Sequence, residues 1–314
     1  MSLDQLKRLI KAVLPDLDMV IGWEQGHDCL TASPVFIKTE EDIEKLQIGP
    51  LAVHNLATFL PGLKGKKVGV VVKGCDSRAA VQLLQEKLID QADVTIFGFG
   101  CNGIISHAKL RKQFNGMGRA SSMTQNGDTI TIEHDGETTT LPFNDVCADK
   151  CLTCEHPNAV IHDHFAGERV ERKPVTTENP ALAEFEKLPL NERLDFWQEQ
   201  MSRCIRCHAC RNACPMCVCR DHCLATSREP NWIGQDTSPR ENLMFQMTHT
   251  LHLAGRCVEC GECERACPMD IPVFLLRKKM ADEVKSLFDY DAGIVLDAKP
   301  PLMTFETNER NIKE

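Results

Sequence analysis

The sequence is poor in aromatic residues, with 5% in total and only 3 Trp and 1 Tyr among 314 positions. It also lacks long apolar runs. No window approaches the roughly 18 uncharged apolar residues that a membrane-spanning helix needs, so no transmembrane segment is expected. Basic charge is in deficit as well. The net charge is -9, and residues 201–314 hold 15 Lys and Arg against 16 Asp and Glu, so neither part of the chain carries the footprint of a nucleic-acid-binding protein. The opening residues, Met-Ser-Leu-Asp-Gln-Leu-Lys-Arg-Leu-Ile, show neither the apolar stretch nor the cleavage site of a secretory leader. With 42% hydrophobic and 26% charged residues, disorder is excluded too.

Cysteine is what the chain has in excess: 17 residues, as many as Phe, Trp and Tyr together. An odd number leaves one thiol over in a closed disulfide framework, and the chain is far longer than the scaffolds that depend on such staples. The expectation is a reducing, cytoplasmic setting with cysteines serving as metal or cluster ligands.

Two segments repeat one spacing. Cys204, Cys207, Cys210 and Cys214-Pro215 form the first, and Cys257, Cys260, Cys263 and Cys267-Pro268 the second. Both read Cys-x2-Cys-x2-Cys-x3-Cys-Pro, the run of two-cluster bacterial ferredoxins. Three close thiolates wrap three irons of a [4Fe-4S] cubane. The fourth lies a helical turn further on and points to the other cluster, where the proline ends the local hydrogen-bonding pattern. The expected sets are therefore Cys204, Cys207, Cys210 with Cys267, and Cys257, Cys260, Cys263 with Cys214. Zinc normally takes paired Cys-x2-Cys knuckles with longer gaps. Between the runs a helix is expected, capped by Ser238, with Pro239 at its first position and a stop at Gly255. Its His249 and His252 read as solvated or core-edge residues. Cys217, Cys219 and Cys223 stay open between a metal site completed by His222, Cys29 or a partner residue and small buried apolar side chains.

The preceding part reads as α/β. Residues 1–15 form an amphipathic helix that lies on its own domain. Lys67–Val72 is a buried parallel strand, followed by a helix capped by Asp76 or Ser77. Val94–Phe97 is a second strand, Gly98–Gly103 a turn and Ile104–Gln113 a second helix, with a hairpin turning at Asp135-Gly136 over residues 128–141. Strands of one parallel sheet end at the same edge, so Cys75 and Cys101 are expected near each other. Cys151-Leu-Thr-Cys154 supplies a pair at ligand spacing. These four make a third cluster site, in which Cys147 could replace any one. Residues 98–103 also read Gly-x-Gly-x-x-Gly, but a hairpin follows instead of a third parallel strand with a ribose-binding acid. The glycines are better read as letting backbone amides approach a cluster sulfur or a phosphate. The fold expected is an α/β domain over residues 1–165, parallel strands plus hairpin. A linker at 166–190 follows, with a helix at Glu192–Met201 capped by Asn191 beyond it. An all-helical dicluster ferredoxin domain occupies 191–290, and an extended tail 291–314.

Residues 190–280 resemble the all-helical two-cluster domains of heterodisulfide reductase and succinate/fumarate oxidoreductase iron-sulfur subunits. Residues 20–165 resemble the β-subunit family of deazaflavin-reducing hydrogenases and deazaflavin-dependent formate dehydrogenases. The points of similarity are Cys75 after its strand, Gly-x-x-Cys at Cys101, and Cys151-x2-Cys154 followed by a proline. In that family the ferredoxin segment usually precedes the flavin domain, whereas here it follows. The resemblance implies FAD, a soluble hydride carrier, and redox partner subunits of formate dehydrogenase, hydrogenase or heterodisulfide-reductase-like type. Lys73, Gly74, Asp76, Ser77 and Arg78 are candidates for the flavin phosphate, although the same turn also reads as a capped helix start with a surface arginine. The function expected is an iron-sulfur electron-transfer subunit in which cofactors carry the chemistry. The alternatives are a flavin-free relay or a zinc-binding scaffold.

Overall fold

The computed structural model describes residues 2–114, 120–171, 173–219, 223–224 and 233–305. Its α/β part is built on β1 (Met19–Gln25), β2 (Ala32–Ile37), β3 (Val68–Val72), β4 (Val94–Phe99), β5 (Ala120–Asn126), β6 (Thr129–His134), β7 (Glu137–Pro142) and β8 (His164–Ala166). The all-buried Val-Gly-Val-Val-Val of β3 takes the centre of one sheet, in the order β2-β1-β3-β4-β8. A strand covered on both faces needs such a sequence. β1, β3, β4 and β8 are parallel, and β2 pairs antiparallel with β1. The helix Ser2–Val13 buries Leu6 and Ile10 against this core, so it lies on its own domain. A second, antiparallel sheet holds β5, β6 and β7. Its β6–β7 turn is the expected Asp135-Gly136, with φ of 48° and 85°, as the mirror-image hairpin turns require.

Several boundaries differ from expectation. The helix after β3 runs Gly74–Gln85 and is capped by Lys73, not by Asp76 or Ser77. Asp76 sits three residues in and accepts the Lys73 N–H at 3.1 Å. The next helix starts at His107, where Ser106 accepts the Lys109 N–H, and not at Ile104. Residues 166–190 are not simply a linker, because Pro180–Lys187 is helical. Asn179 caps it, accepting the Leu182 N–H at 3.0 Å, and Pro180 occupies the first helical position, where its missing N–H costs nothing. The following helix is Leu190–Ser202, preceded by Pro189 rather than capped by Asn191. Helix Pro239–His252 is capped by Ser238 as expected, and Phe274–Phe288 completes the helical region.

The two parts are not separate bodies. Met216, Leu253, Val258 and Cys260 belong to the same buried core as the sheet residues. Arg256 grips Glu86 through two hydrogen bonds, of 2.6 and 2.5 Å. After Phe288 the chain folds back on helix Gly74–Gln85. Arg78 donates to the Ala292 carbonyl at 3.0 Å and pairs with Asp291, while the Gln85 amide donates to the carbonyls of Val295 and Ala298. Residues 291–298 are thus docked, not an extended tail, and residues 306–314 lie outside the described residues. No helix among the described residues is long and apolar enough to cross a membrane.

Gly74 is where the chain can least accept a side chain. A Cβ there would stand 1.8 Å from the His156 carbonyl oxygen, which is backbone and cannot swing aside. Gly74→Ala is expected to destabilise the fold by about 3 kcal/mol, the upper end for overpacking, seen as a lower urea midpoint at unchanged slope.

Candidate metal centres

Cys204, Cys207, Cys210 and Cys267 line one small cavity together with Phe245, Gln246, Ile271 and Val273. The fourth cysteine thus comes from the other run, as the spacing predicts. Both runs use the same backbone device. Arg206 and His208 have φ of 50° and 62°, and their counterparts Glu259 and Gly261 have 56° and 68°. Short helical turns follow at Ala209–Asn212 and Glu262–Arg265. The left-handed residue turns its own N–H back onto the sulfur two positions earlier, Arg206 onto Cys204 and Glu259 onto Cys257. Ile271 N–H reaches Cys267 Sγ at 3.5 Å and the Gln246 amide reaches Cys210 Sγ at 3.5 Å. Donors aimed at sulfur favour the thiolate and tune a bound cluster.

The second set also comes together. Cys257, Cys260 and Cys263 each feel the charge of the Cys214 sulfur, which itself lies within 4.8 Å of Cys217 Sγ and a ring nitrogen of His249. Burial pushes the Cys257 thiol up to about 12, and it raises Cys260 and Cys263 well above the ordinary value. For Cys214 the hydrogen bond with Cys217 comes first and burial second, again upward. Buried thiols this hard to ionise become anionic only if a cation replaces the proton, which is the chemistry of a metal site.

The third set lies at the edge where β3 and β4 end. Cys75, Cys101, Cys151 and Cys154 line one cavity of about 190 Å³, and Cys257 of the second run lines it too. Burial pushes Cys101 up to about 11, with Cys151 and Cys154 adding to it, while the Gly103 N–H donates to its Sγ at 3.4 Å. Cys147 is not among the lining residues. It bridges Ile105 and is fully buried in an apolar cluster with Leu110, Ile130, Phe143 and Val146, which Cys151 shares and Cys101 packs against. Lys150, which sequence reasoning passed over, reaches in from beside Cys151. Its Nζ lies 3.8 Å from Cys75 Sγ and donates to the Cys260 carbonyl. Burial opposes its charge, while negative charge on the sulfurs of Cys75, Cys151 and Cys260 and on the Glu262 carboxylate favours it, and the balance lies above the usual lysine value.

The phosphate candidates do not form a cradle for FAD. Lys73 is 1% exposed; its Nζ pairs with Asp76 at 2.8 Å, donates to the His54 carbonyl at 2.9 Å and lies 4.1 Å above the Trp23 ring. Ser77 Oγ donates to the Gly74 carbonyl and accepts the Val160 N–H. Arg78 is buried, not a surface residue, and spends its guanidinium on Ala292 and Asp291. Gly74 faces the His156 carbonyl. With these partners taken, the turn fits a rigid helix start and not a flavin phosphate.

The remaining cysteines scatter. Cys29 Sγ donates to the Ala120 carbonyl at 3.2 Å, Cys219 is exposed, and Cys223 packs in the cluster around Trp197 and Phe245. Among the described residues Cys217 groups with Cys214 and His249, and His222 lies outside the described residues. His252 is exposed, as expected, but His249 is buried. Arg277 stands 2.7 Å from His249 Nδ1 and Cys217 Sγ 2.9 Å from Nε2. Arginine can only donate, so Nδ1 accepts and Nε2 carries the proton toward sulfur. Burial and the Arg277 charge push His249 down to about 2.

The two cysteine runs make this region one of the two-cluster iron-sulfur type: residues 203–271 match the family described as 4Fe-4S dicluster domain. Along most of its length the chain is similar to β subunits of F420-dependent formate dehydrogenases. It is 23% identical to the subunit of Methanocaldococcus jannaschii over 92% of this chain and 90% of that protein. It is 26% identical to the β subunit of formate dehydrogenase 1 of Methanococcus maripaludis over 91% and 89%. A solved structure of the F420-reducing [NiFe] hydrogenase complex from Methanosarcina barkeri aligns with 49% of this chain and 61% of that one, at 20% identity and a TM-score of 0.38.

Cys101 lines the sheet-edge cavity and Cys147 does not. Cys101→Ser is expected to remove about four irons from anaerobically purified protein, whereas Cys147→Ala should keep full iron and cost about 1 kcal/mol in denaturant stability.

Proposed function

We propose that this protein is the iron-sulfur electron-transfer subunit of a cytoplasmic oxidoreductase complex of the formate dehydrogenase, hydrogenase or heterodisulfide-reductase type. The observation that carries the reading is the seating of Cys267 in the cavity of the first run, because a run that takes its fourth ligand from the other run is the two-cluster ferredoxin arrangement, whereas two independent zinc knuckles would each close on their own cysteines. Cys204, Cys207, Cys210 and Cys267 hold one [4Fe-4S] cluster, and Cys257, Cys260, Cys263 and Cys214 the second. Cys75, Cys101, Cys151 and Cys154 hold a third. When bound, the clusters supply one-electron transfer.

The chain's own residues set the route. The cavity of Cys75 and Cys101 touches Cys257, which supports direct passage from the sheet edge to the second run. The exchanged Cys214 and Cys267 then link the second run to the first. Electrons are passed to or from partner redox subunits. In the full reading FAD and a soluble hydride carrier stand at the α/β end. They enter through the resemblance to the deazaflavin-linked family, and no residues are assigned to them. A flavin-free relay is the second reading, favoured by the full internal engagement of Lys73, Ser77 and Arg78.

Anaerobically purified protein should be brown and contain about 12 irons per chain. Iron near zero with stoichiometric zinc would sink the redox reading. Acid extraction decides between the two forms: released flavin at one per chain supports the flavin-linked subunit, and its absence at full iron supports the relay.

A further inference from the structure

The cavity at the sheet edge is lined by five cations, and four of them are already neutralised. Lys73 pairs with Asp76, Arg78 with Asp291, Lys278 with Glu259 and Asp282, and Lys285 with Asp291. Lys150 is the exception: among the described residues its ammonium has a sulfur and a carbonyl as partners and no carboxylate within ion-pair distance. Both partners belong to cluster sites, Cys75 to the sheet-edge set and Cys260 to the second run.

The second run is shaped to admit this side chain. At Gly261 a Cβ would stand 2.9 Å from Lys150 Cδ, so the methylene stem of Lys150 occupies the space a side chain would take. The equivalent position of the first run is His208, with nearly the same backbone conformation, so the left-handed turn itself does not require glycine. The difference between His208 and Gly261 is explained by the lysine that crosses only one of the two runs.

We propose that Lys150 is a positioning charge that ties the sheet-edge site to the second-run site, stabilising an added electron on either and so raising both reduction potentials together relative to the first-run site. The inference rests on the three-cluster reading above. An unpaired ammonium in a poorly solvated wall acts on charge at either site far more strongly than it would in water, and charge close to the sulfurs is a recognised lever on cluster potential.

Lys150→Met keeps the stem and removes the charge. Redox titration of the anaerobic holoprotein, followed by electron paramagnetic resonance, is the test. The first-run signal is assigned by its loss in Cys267→Ser. At fixed potential the reduced-to-oxidised ratio should fall about tenfold at the sheet-edge and second-run clusters, equivalent to about 59 mV for a one-electron couple. The first-run cluster should not move, and Lys150→Arg should restore most of the shift. Unmoved potentials in protein with about 12 irons, or an equal shift of all three, would overturn the tie alone. Wild-type iron near eight would overturn it together with the third-cluster reading, a result that iron analysis shows separately. Should Lys150→Met lose iron, Gly261→His, which copies the first run and displaces the lysine stem, is expected to produce the same paired shift. Loss of iron in both variants would assign Lys150 a purely structural part and refute the proposal.

Discussion

Everything in the helical region follows from one constraint: neither cysteine run can complete its own set. In the proposed ligand sets Cys214 serves the second run and Cys267 the first, so two runs whose facing ends, Cys214 and Cys257, stand 43 positions apart lie back to back. The scaffold between them serves that exchange. Helix Pro239–His252 presents Phe245 and Gln246 to the first cavity. Its Asn242 amide nitrogen lies 2.9–3.1 Å from the carbonyls of Met201, Cys204 and Thr237, which share its two N–H donors, fixing where the first run begins. Arg277 on the next helix, 1% exposed, ties down Gln246 and His249 from the far side. These polar groups are buried, and most of their donors are met by neighbours whose position the exchange also needs, while Asn242 Oδ1 and Arg277 Nε have no hydrogen-bond partner among the described residues. A network of that kind specifies one arrangement more than it adds stability.

The same constraint sets the electrostatics. Eight thiols are drawn into a small volume, and most are pushed toward the protonated form by loss of solvent and by one another. Without metal the protein must carry either clustered protons or clustered anions, and both weaken the packing around them. Metal binding removes the conflict, so its free energy is in large part folding free energy for this region. The core is correspondingly modest there. The apolar cluster around Trp197, Met201, Ile233 and Phe245 is small, and it depends on the cysteines that pack at its margin.

What was legible in the sequence was whatever a short stretch dictates by itself. The cysteine spacing implied the exchange because ligand geometry is local to each run. The Val-rich run of β3 and the Asp135-Gly136 turn were legible for the same reason. The β1–β2 hairpin and β8 were not. β2 carries Pro34, which an edge position tolerates because no ladder donor is needed there, and β8 spans only three residues. Pro180 and Pro189 suggested a linker, yet each stands at a helix start, where proline is at home. Arg78 and Lys73 looked like anion ligands because their partners, Ala292, Asp291 and His54, are distant in sequence. Lys150 escaped notice since its meaning depends on Gly261, more than a hundred residues away.

The burial of Lys73 then has a structural explanation that needs no ligand. Cys75 occupies the first turn of helix Gly74–Gln85, and the ligand role proposed for it requires a thiol that is held still. Lys73 locks that turn from one side, through Asp76, the His54 carbonyl and the face of Trp23, while His156 closes on Gly74 from the other. A buried ion pair of this kind seldom adds net stability over an apolar equivalent, but breaking it by removing one partner is costly. Here the pair fixes the strand-to-helix turn that presents Cys75. The Arg256–Glu86 clamp fixes the far end of the same helix to the second run. The helix therefore works as a spacer with a thiol at one end and the ferredoxin segment anchored at the other. That anchoring keeps the separation between the sheet-edge site and the second run constant, as an electron path requires.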